Sequence, residues 1–245
     1  MLNNLRDAGY DVLALHHAAA ILQHDMPGAI ADLESVLIGL EIPIEEIVGG
    51  GGGEAPSTQR SRRRLTELGW IKSNVTVRKF VAFGEDERET QSLSHEIDHV
   101  KAFEDWVFAL EIEWNNKDPF FDRDLESFKR LHAEGAISIG AIITRGQSLQ
   151  QNLRQLLLDF ANREGIDSLA DLDPYNYAPT PRQRRMIEAR AARDGFRQGW
   201  VDVFVSDKFG EATTHWRKLK DRVDRGVGNP CPLLLIGIPA TVVKV

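Results

Sequence analysis

The sequence predicts an α/β protein, and three neighbouring segments in the middle of the chain carry that prediction. Residues 105–115 alternate polar and apolar side chains, as a strand does. Residues 122–134 repeat apolar side chains at helical spacing, and residues 137–144 form the nearly continuous apolar run of a buried strand. Strand, helix and strand within about 35 residues match the size of a βαβ unit, whose two strands join one sheet.

Upstream of that unit, the pattern predicts helices first and a strand last. Apolar residues at spacings of three and four predict two amphipathic helices over 11–38, with a proline between them. The five glycines at 49–53 predict a loop, either flexible or one whose backbone must come close to a partner. Residues 57–59 then cap a helix over 60–70, and the Val- and Phe-rich alternation of 74–84 predicts a strand.

The C-terminal region is predicted to add helices and two more strands. In chain order these are a helix at 147–163, a polar loop at 171–181, a basic helix from Pro181, a strand at 200–206, a helix at 212–223 and a buried strand at 231–239. We expect one domain over 1–245, with a helical N-terminal region (1–48), a core at about 75–145 and a helical, basic C-terminal region that ends in a buried strand.

Composition excludes several classes of protein. The single cysteine, Cys231, excludes a disulfide scaffold and a Cys-rich metal site. No apolar run approaches the length of a membrane span, and the N-terminal residues do not resemble a secretory signal. The expected location is therefore a reducing cytoplasm.

Charge is distributed unevenly along the chain. The net charge is −7, yet residues 56–80 hold seven basic residues against one acid, and residues 182–225 hold twelve against seven. Two basic stretches in an acidic chain could form a phosphate-binding face, although solvated helix surfaces have the same composition.

Three acids in the middle of the chain form the most informative constellation. Alternation puts Glu111 and Glu113 on one face of the strand at 105–115, opposite an apolar face, and Asp98 precedes them by a hairpin's length. Converging carboxylates suit a hard cation such as Mg²⁺, with Asp98, Glu111 and the Ile112 carbonyl as ligands and Glu113 as general base. The alternative is an exposed strand face whose acids are merely solvated.

Other polar residues give weaker signals. The glycine run lacks the Gly-Lys-Ser/Thr ending of a phosphate-binding loop, which argues against an NTPase. Asparagine amides at a strand end can bind base edges in a DNA groove, although polar loop residues need no such purpose. The residues that pose this choice are Asn115, Asn116 and Lys117 after the acidic strand, and Thr213, Thr214 and His215 in the later basic stretch.

At this point the sequence resembles a known family. Asp98, Glu111-x-Glu113, WNNKDPFFDRDLESF (114–128) and AISIGAIITR (136–145) resemble the Type II restriction endonucleases around BglII, BstYI and BamHI. The glycine-rich stretch upstream and CPLLLIGIP near the end are similar to the same group. The resemblance implies a restriction-endonuclease-like (PD-(D/E)xK) core, in which helices flank a central mixed β-sheet. It also implies a homodimer that cleaves a short palindromic double-stranded DNA site with Mg²⁺, with GATC at the centre of that site. Such an enzyme works in a prokaryotic cytoplasm, alongside a companion DNA methyltransferase.

The resemblance also assigns roles to single residues. Asp98 and Glu111 match the metal-binding acids of the nuclease motif, and Glu113 stands where the wider superfamily most often has lysine. Glu113 is therefore the candidate base. Asn116 matches a base-contacting asparagine, and Arg123 and Arg145 match DNA-facing polar positions. The upstream acid or amide that completes the active site in the family has no assigned match in this sequence.

Two other functions remain open at this stage. One is a DNA-binding protein on the same fold that does not cleave, although acids facing phosphates would then only repel DNA. The other is a metal-dependent phosphoesterase acting on small molecules, for which two basic stretches are unnecessary.

Overall fold

A computed structural model describes residues 1–49 and 53–245 of the protein, and a six-stranded mixed sheet lies at its centre. Along the chain the strands are β1 (Asp11–Leu15), β2 (Ile42–Pro43), β3 (Ile71–Phe83), β4 (Asp86–Phe103), β5 (Trp106–Glu113), β6 (Ile139–Arg145), β7 (Leu233–Ile238) and β8 (Val243–Lys244). The sheet has the order β1-β7-β6-β5-β4-β3, and β2 pairs with β8 outside it. The predicted α/β class with a central mixed sheet is confirmed.

Helices flank this sheet, as predicted. They are α1 (Asn3–Asp7), α2 (Ala18–His24), α3 (Pro27–Ile38), α4 (Ile44–Val48), α5 (Pro56–Glu67), α6 (Phe120–Ala133), α7 (Gln147–Glu164), α8 (Pro181–Asp194), α9 (Phe196–Lys208) and α10 (Trp216–Asp224), with 3-10 turns at Ala170–Tyr175 and Ala240–Val242. Within the described ranges, no helix is both long and apolar enough to cross a membrane. The glycine loop expected at 49–53 lies mostly outside the described residues.

The direction of the strands and the faces of β5 position the site. β5, β6 and β7 run parallel, whereas β4 runs antiparallel to β5. Alternation along β5 sends Phe108 and Leu110 into the larger core and Ala109 into a smaller core, shared with α6 and α10. Glu111 and Glu113 continue the face of Ala109, so both acids lie on the α6 side of the sheet.

The N-terminal prediction was partly wrong. Residues 11–15 were expected to begin a helix, but they form β1, which pairs antiparallel with β7. Five residues are too few for helical periodicity to be distinctive, and pairing with a buried strand decides their conformation. The N-terminal region is therefore not wholly helical. The helix expected at 60–70 begins earlier, at Pro56, without a side-chain cap from residues 57–59, because proline itself suits the first helical position.

The strand predicted at 200–206 was also wrong, because this segment lies inside α9. Its valines suggested a strand, and most of its side chains are buried, which hides the helical repeat. Close packing explains the burial: a Cβ on Gly199 would lie 2.6 Å from the backbone nitrogen of Ala191 in α8. The absence of a side chain at 199 therefore lets α8 and α9 approach each other.

A second close approach, between β6 and α6, gives a testable prediction. A Cβ on Gly140 would lie 2.5 Å from Cδ2 and 3.0 Å from Cβ of Phe128. We expect Gly140→Ala to lower the free energy of unfolding by about 1–3 kcal/mol, measured by urea denaturation. Replacing the phenyl ring with a smaller side chain, Phe128→Leu, should lower the free energy of unfolding less in the Gly140→Ala protein than in the wild type. Simple additivity of the two costs would show that the ring is not the obstacle.

Candidate active site

The β4–β5 hairpin brings the three predicted acids to one cleft. Its strands pair in register as far as His99 and Leu110, and the next residues, Asp98 and Glu111, line the same cleft. Glu113 follows on the same face of β5. All three acids line a cleft of about 410 Å³ that α6 closes on its other side. A rigid, paired strand thus fixes the spacing of two carboxylates, which a loop could not do as accurately.

Burial sets the electrostatics of this cleft. Glu111 and Glu113 are only 4% and 3% exposed, whereas the Asp98 side chain is half exposed. Burial raises the pKa of Glu111 to about 9, and the negative charge of Asp124 adds to the shift. Burial and Asp124 also raise the pKa of Glu113, against the opposing effect of a hydrogen bond from Asn116. The floor of the cleft is therefore short of positive charge.

Two side chains predicted to contact DNA lie directly against these acids. The Asn116 amide donates to Glu113 Oε2 at 2.5 Å. The Arg123 guanidinium lies 3.4 Å from Glu113 Oε1, donates to Asp124 Oδ1 at 2.8 Å and stacks on the Phe120 ring. Arg123 remains 57% exposed, so it can reach beyond the cleft. Asn116 holds Glu113 in place, and Arg123 supplies part of the missing positive charge.

Sequence reasoning missed two charged residues beside the predicted acids. Asp124 lies in α6 with its side chain 3% exposed, and it lines the same cleft. Its spacing from Phe121 and Phe128 places it on the buried face of the helix. That spacing is the sequence feature from which its burial could have been predicted. Lys72 on β3 lies 3.7 Å from Asp98, but its position in a basic stretch gave no sign of this contact.

The donors of the cleft fit a divalent cation that prefers oxygen ligands. Carboxylates are the ligands of Mg²⁺ in proteins, and one of those present, Asp124, has a buried Oδ2 with no hydrogen-bond partner among the described residues. Among residues 1–49 and 53–245, no group of three or more acids, histidines or cysteines is close enough to hold a metal as it stands. Cation binding at Asp98, Glu111 and the Ile112 carbonyl would therefore need the side chains to draw together.

The two polar loops singled out in the sequence lie against each other. The Thr214 backbone N–H donates to the Asn116 carbonyl at 2.9 Å, and the Asn116 N–H donates to Thr214 Oγ1 at 3.0 Å. Lys117 and Thr213 form a β-bridge beside them. Asn116 and Lys117 are exposed, whereas Asn115 and Thr213 are half-buried. Segments far apart in sequence thus form one polar surface next to the acids.

Three of the residues predicted to contact DNA, Arg145, Thr214 and His215, are buried in the protein. All three are at most 1% exposed. Arg145 donates to the Thr214 carbonyl at 2.7 Å and to Thr213 Oγ1 at 2.6 Å, and its guanidinium stacks on Phe209. These contacts enclose the side chain within the protein. Arg145 therefore holds the loop that carries Thr213.

A larger groove opens from the cleft. It has a volume of about 1200 Å³ and shares Asp98, Ile112 and Asn116 with the cleft. Residues far apart in the sequence line it, including Arg62 on α5 and Lys208 at the end of α9. Its volume is about three times that of the cleft.

One comparison with known proteins matches most of the chain. Residues 10–238 match the family model described as restriction endonuclease BglII/BglIII. A search of curated proteins gave no match.

Proposed function

Because the chain belongs to the BglII/BglIII family of restriction endonucleases, and is thus a Type II site-specific deoxyribonuclease acting on double-stranded DNA, we propose that it cleaves as a Mg²⁺-dependent homodimer. Its substrate would be a short palindromic site, with GATC at the centre, cut once in each strand. The observation that supports this most strongly is the acid cleft on the β4–β5 hairpin, which opens into a groove of about 1200 Å³.

Different residues of the cleft have different roles in hydrolysis. The Glu113 carboxylate takes a proton from the attacking water, whose oxygen bonds to phosphorus as the bond from phosphorus to the 3′-oxygen breaks. The 3′-oxygen takes a proton from solvent, so the products carry a 5′-phosphate and a 3′-hydroxyl. Asn116 orients that carboxylate through its amide. Asp98, Glu111 and the Ile112 carbonyl would hold Mg²⁺, which when bound stabilises the negative charge that develops at the phosphate.

The polar surface beside the cleft would position the DNA. Asn116 and Lys117 are exposed there, with Asn115 and Thr213 half-buried beside them, and Arg123 extends from α6. Amides can bind base edges, whereas the cationic side chains bind phosphates without regard to sequence. A two-fold symmetric dimer would present this surface twice, so that each copy meets the same half-site of a palindrome.

The proposal also includes the setting in which the enzyme works. A prokaryotic cytoplasm would hold both the enzyme and a companion DNA methyltransferase. Without methylation of the host's own sites, the nuclease would cut them as readily as foreign DNA.

The test compares two neighbouring carboxylates during digestion of a long, unmethylated DNA. Asp98 and Glu96 lie on the same strand, both are exposed, and both pair with Lys72. We expect wild type and Glu96→Gln to give discrete fragments that require Mg²⁺. Asp98→Asn should give none, because it removes a cation ligand but keeps the shape of the side chain.

The outcomes also separate the competing functions. A wild-type protein that binds DNA in a salt-sensitive way but never cuts it would be a non-cleaving DNA-binding protein. A protein that neither binds nor cuts DNA, yet hydrolyses small phosphate esters, would be a phosphoesterase. Equal cleavage by Asp98→Asn and wild type would remove Asp98 from the mechanism.

A further inference from the structure

One oxygen in the acid cleft has no function in the mechanism proposed above. The Asp124 side chain is 3% exposed, and no N–H or hydroxyl group within residues 1–49 and 53–245 donates to its Oδ2, although the carboxyl of Glu113 lies within hydrogen-bonding reach of Asp124. Both contacts from Arg123, at 2.8 Å and 2.7 Å, reach the other oxygen, Oδ1. A buried carboxylate oxygen rarely lacks a donor unless a ligand or ion completes its environment. Its isolation is therefore a specific feature that a ligand would explain.

The surroundings of Asp124 indicate what kind of ligand is missing. Five carboxylates line this cleft: those of Asp98, Glu111, Glu113 and Asp124, and that of the more exposed Glu96. Arg123 is a cation in contact with the two buried acids Glu113 and Asp124. A neutral ligand would leave the deficit of positive charge unchanged, and an anionic ligand would increase it. A divalent cation would offset it.

We propose that Asp124 is a third carboxylate ligand of the divalent-cation site, beside Asp98 and Glu111, binding the cation through Oδ2 while Oδ1 stays on Arg123. The inference rests on the proposed function and extends it, since Asp124 lies on α6, outside the acids of the β4–β5 hairpin. The helix would then tie the cation to the second wall of the cleft. Arg123 would compete with the cation for the same negative charge.

The competing explanation is purely structural: Asp124 only holds Arg123 in place. The two explanations make opposite predictions for a pair of variants. If Asp124 binds the cation, Asp124→Asn weakens cation binding, whereas Arg123→Gln leaves it unchanged or strengthens it, because a competing positive charge is gone. If Asp124 only positions Arg123, the two substitutions have the same effect.

The experiment measures Mn²⁺ binding by calorimetry without DNA, and the rise in melting temperature that Mn²⁺ produces. We expect Asp124→Asn to bind Mn²⁺ about 10-fold or more weakly than wild type. The control is Glu126→Gln, a more exposed carboxylate on the same helix that pairs with Lys129 and should bind as wild type does. Asp124→Asn should melt no lower than wild type in EDTA, since it removes one of several converging negative charges. Unchanged Mn²⁺ affinity in Asp124→Asn, or equal losses in Asp124→Asn and Arg123→Gln, would overturn the inference.

Cleavage assays on the same proteins distinguish this failure from failure of the proposed function. If wild type cuts DNA and Asp98→Asn does not, while Asp124→Asn binds Mn²⁺ normally, only the role of Asp124 is wrong. If wild type neither binds Mn²⁺ nor cuts DNA, both proposals are wrong.

Discussion

A Glu113→Gln variant is expected to cut DNA roughly 10²–10⁴-fold more slowly than wild type, the range typical of losing a general base. The amide keeps the shape of the side chain and can still accept a hydrogen bond from Asn116, which now lies 2.5 Å from Glu113 Oε2. It cannot take a proton from water. DNA affinity should be unchanged or higher, because a negative charge facing phosphates is lost. Single-turnover cleavage and equilibrium binding of the same duplex measure the two quantities separately.

The control for this variant is Glu126→Gln, which removes a carboxylate from the outer side of α6. It should cut at the wild-type rate. Cleavage by Glu113→Gln at a rate close to wild type would contradict the assignment, and Asp124 would be the next base to test, since it lines the same cleft.

The second large effect is expected at Glu111, where cleavage and stability should change in opposite directions. Glu111→Gln should abolish Mg²⁺-dependent cleavage because it removes a buried cation ligand. It should also stabilise the cation-free protein, because burial raises the pKa of Glu111 from 4.5 to about 9. Between these two pH values the folded protein holds a proton at Glu111 that the unfolded chain releases. Wild-type stability therefore falls as pH rises across this range, and the variant lacks that loss.

Urea denaturation in EDTA at several pH values measures this difference. The variant and the wild type should be similar below pH 4.5, where Glu111 is mostly protonated in the unfolded chain as well, and should diverge steadily from there toward pH 9. Added Mg²⁺ should stabilise the wild type more than the variant. A constant difference in unfolding free energy at every pH would mean that Glu111 is not buried as a protonated acid.

The sequence was sufficient to predict the sheet near the site because local patterns and tertiary packing agree there. Residues 105–115 alternate, and β5 does bury Phe108 on one face and Ala109 on the other. The same alternation put Glu111 and Glu113 together, and the β4–β5 hairpin brings Asp98 to the same cleft. In 200–206 the valines led to the wrong prediction of a strand. Because α9 is buried on most sides, its sequence shows no helical repeat of apolar residues.

Local sequence patterns could not predict which residues from distant segments of the chain lie in contact. Asp124 lines the cleft only because α6 packs against the face of β5 that carries the acids. The spacing of residues within α6 predicts that Asp124 lies on the buried face of the helix, but not which residues it contacts there. The resemblance matches Arg145 to a DNA-facing polar position, but its side chain is buried. Its burial follows from the segment at 213–215, which lies about 70 residues further along and binds its guanidinium.

Sequencing the ends of the fragments from a Mg²⁺-dependent digest tests the central claim most directly. If the protein is a dimeric, site-specific endonuclease that uses the acids of the β4–β5 hairpin, every break will fall at one short palindrome. The breaks in the two strands will be related by its two-fold axis, with 5′-phosphates throughout. Breaks at unrelated sequences, breaks in one strand alone, or the same fragments in EDTA would contradict the account.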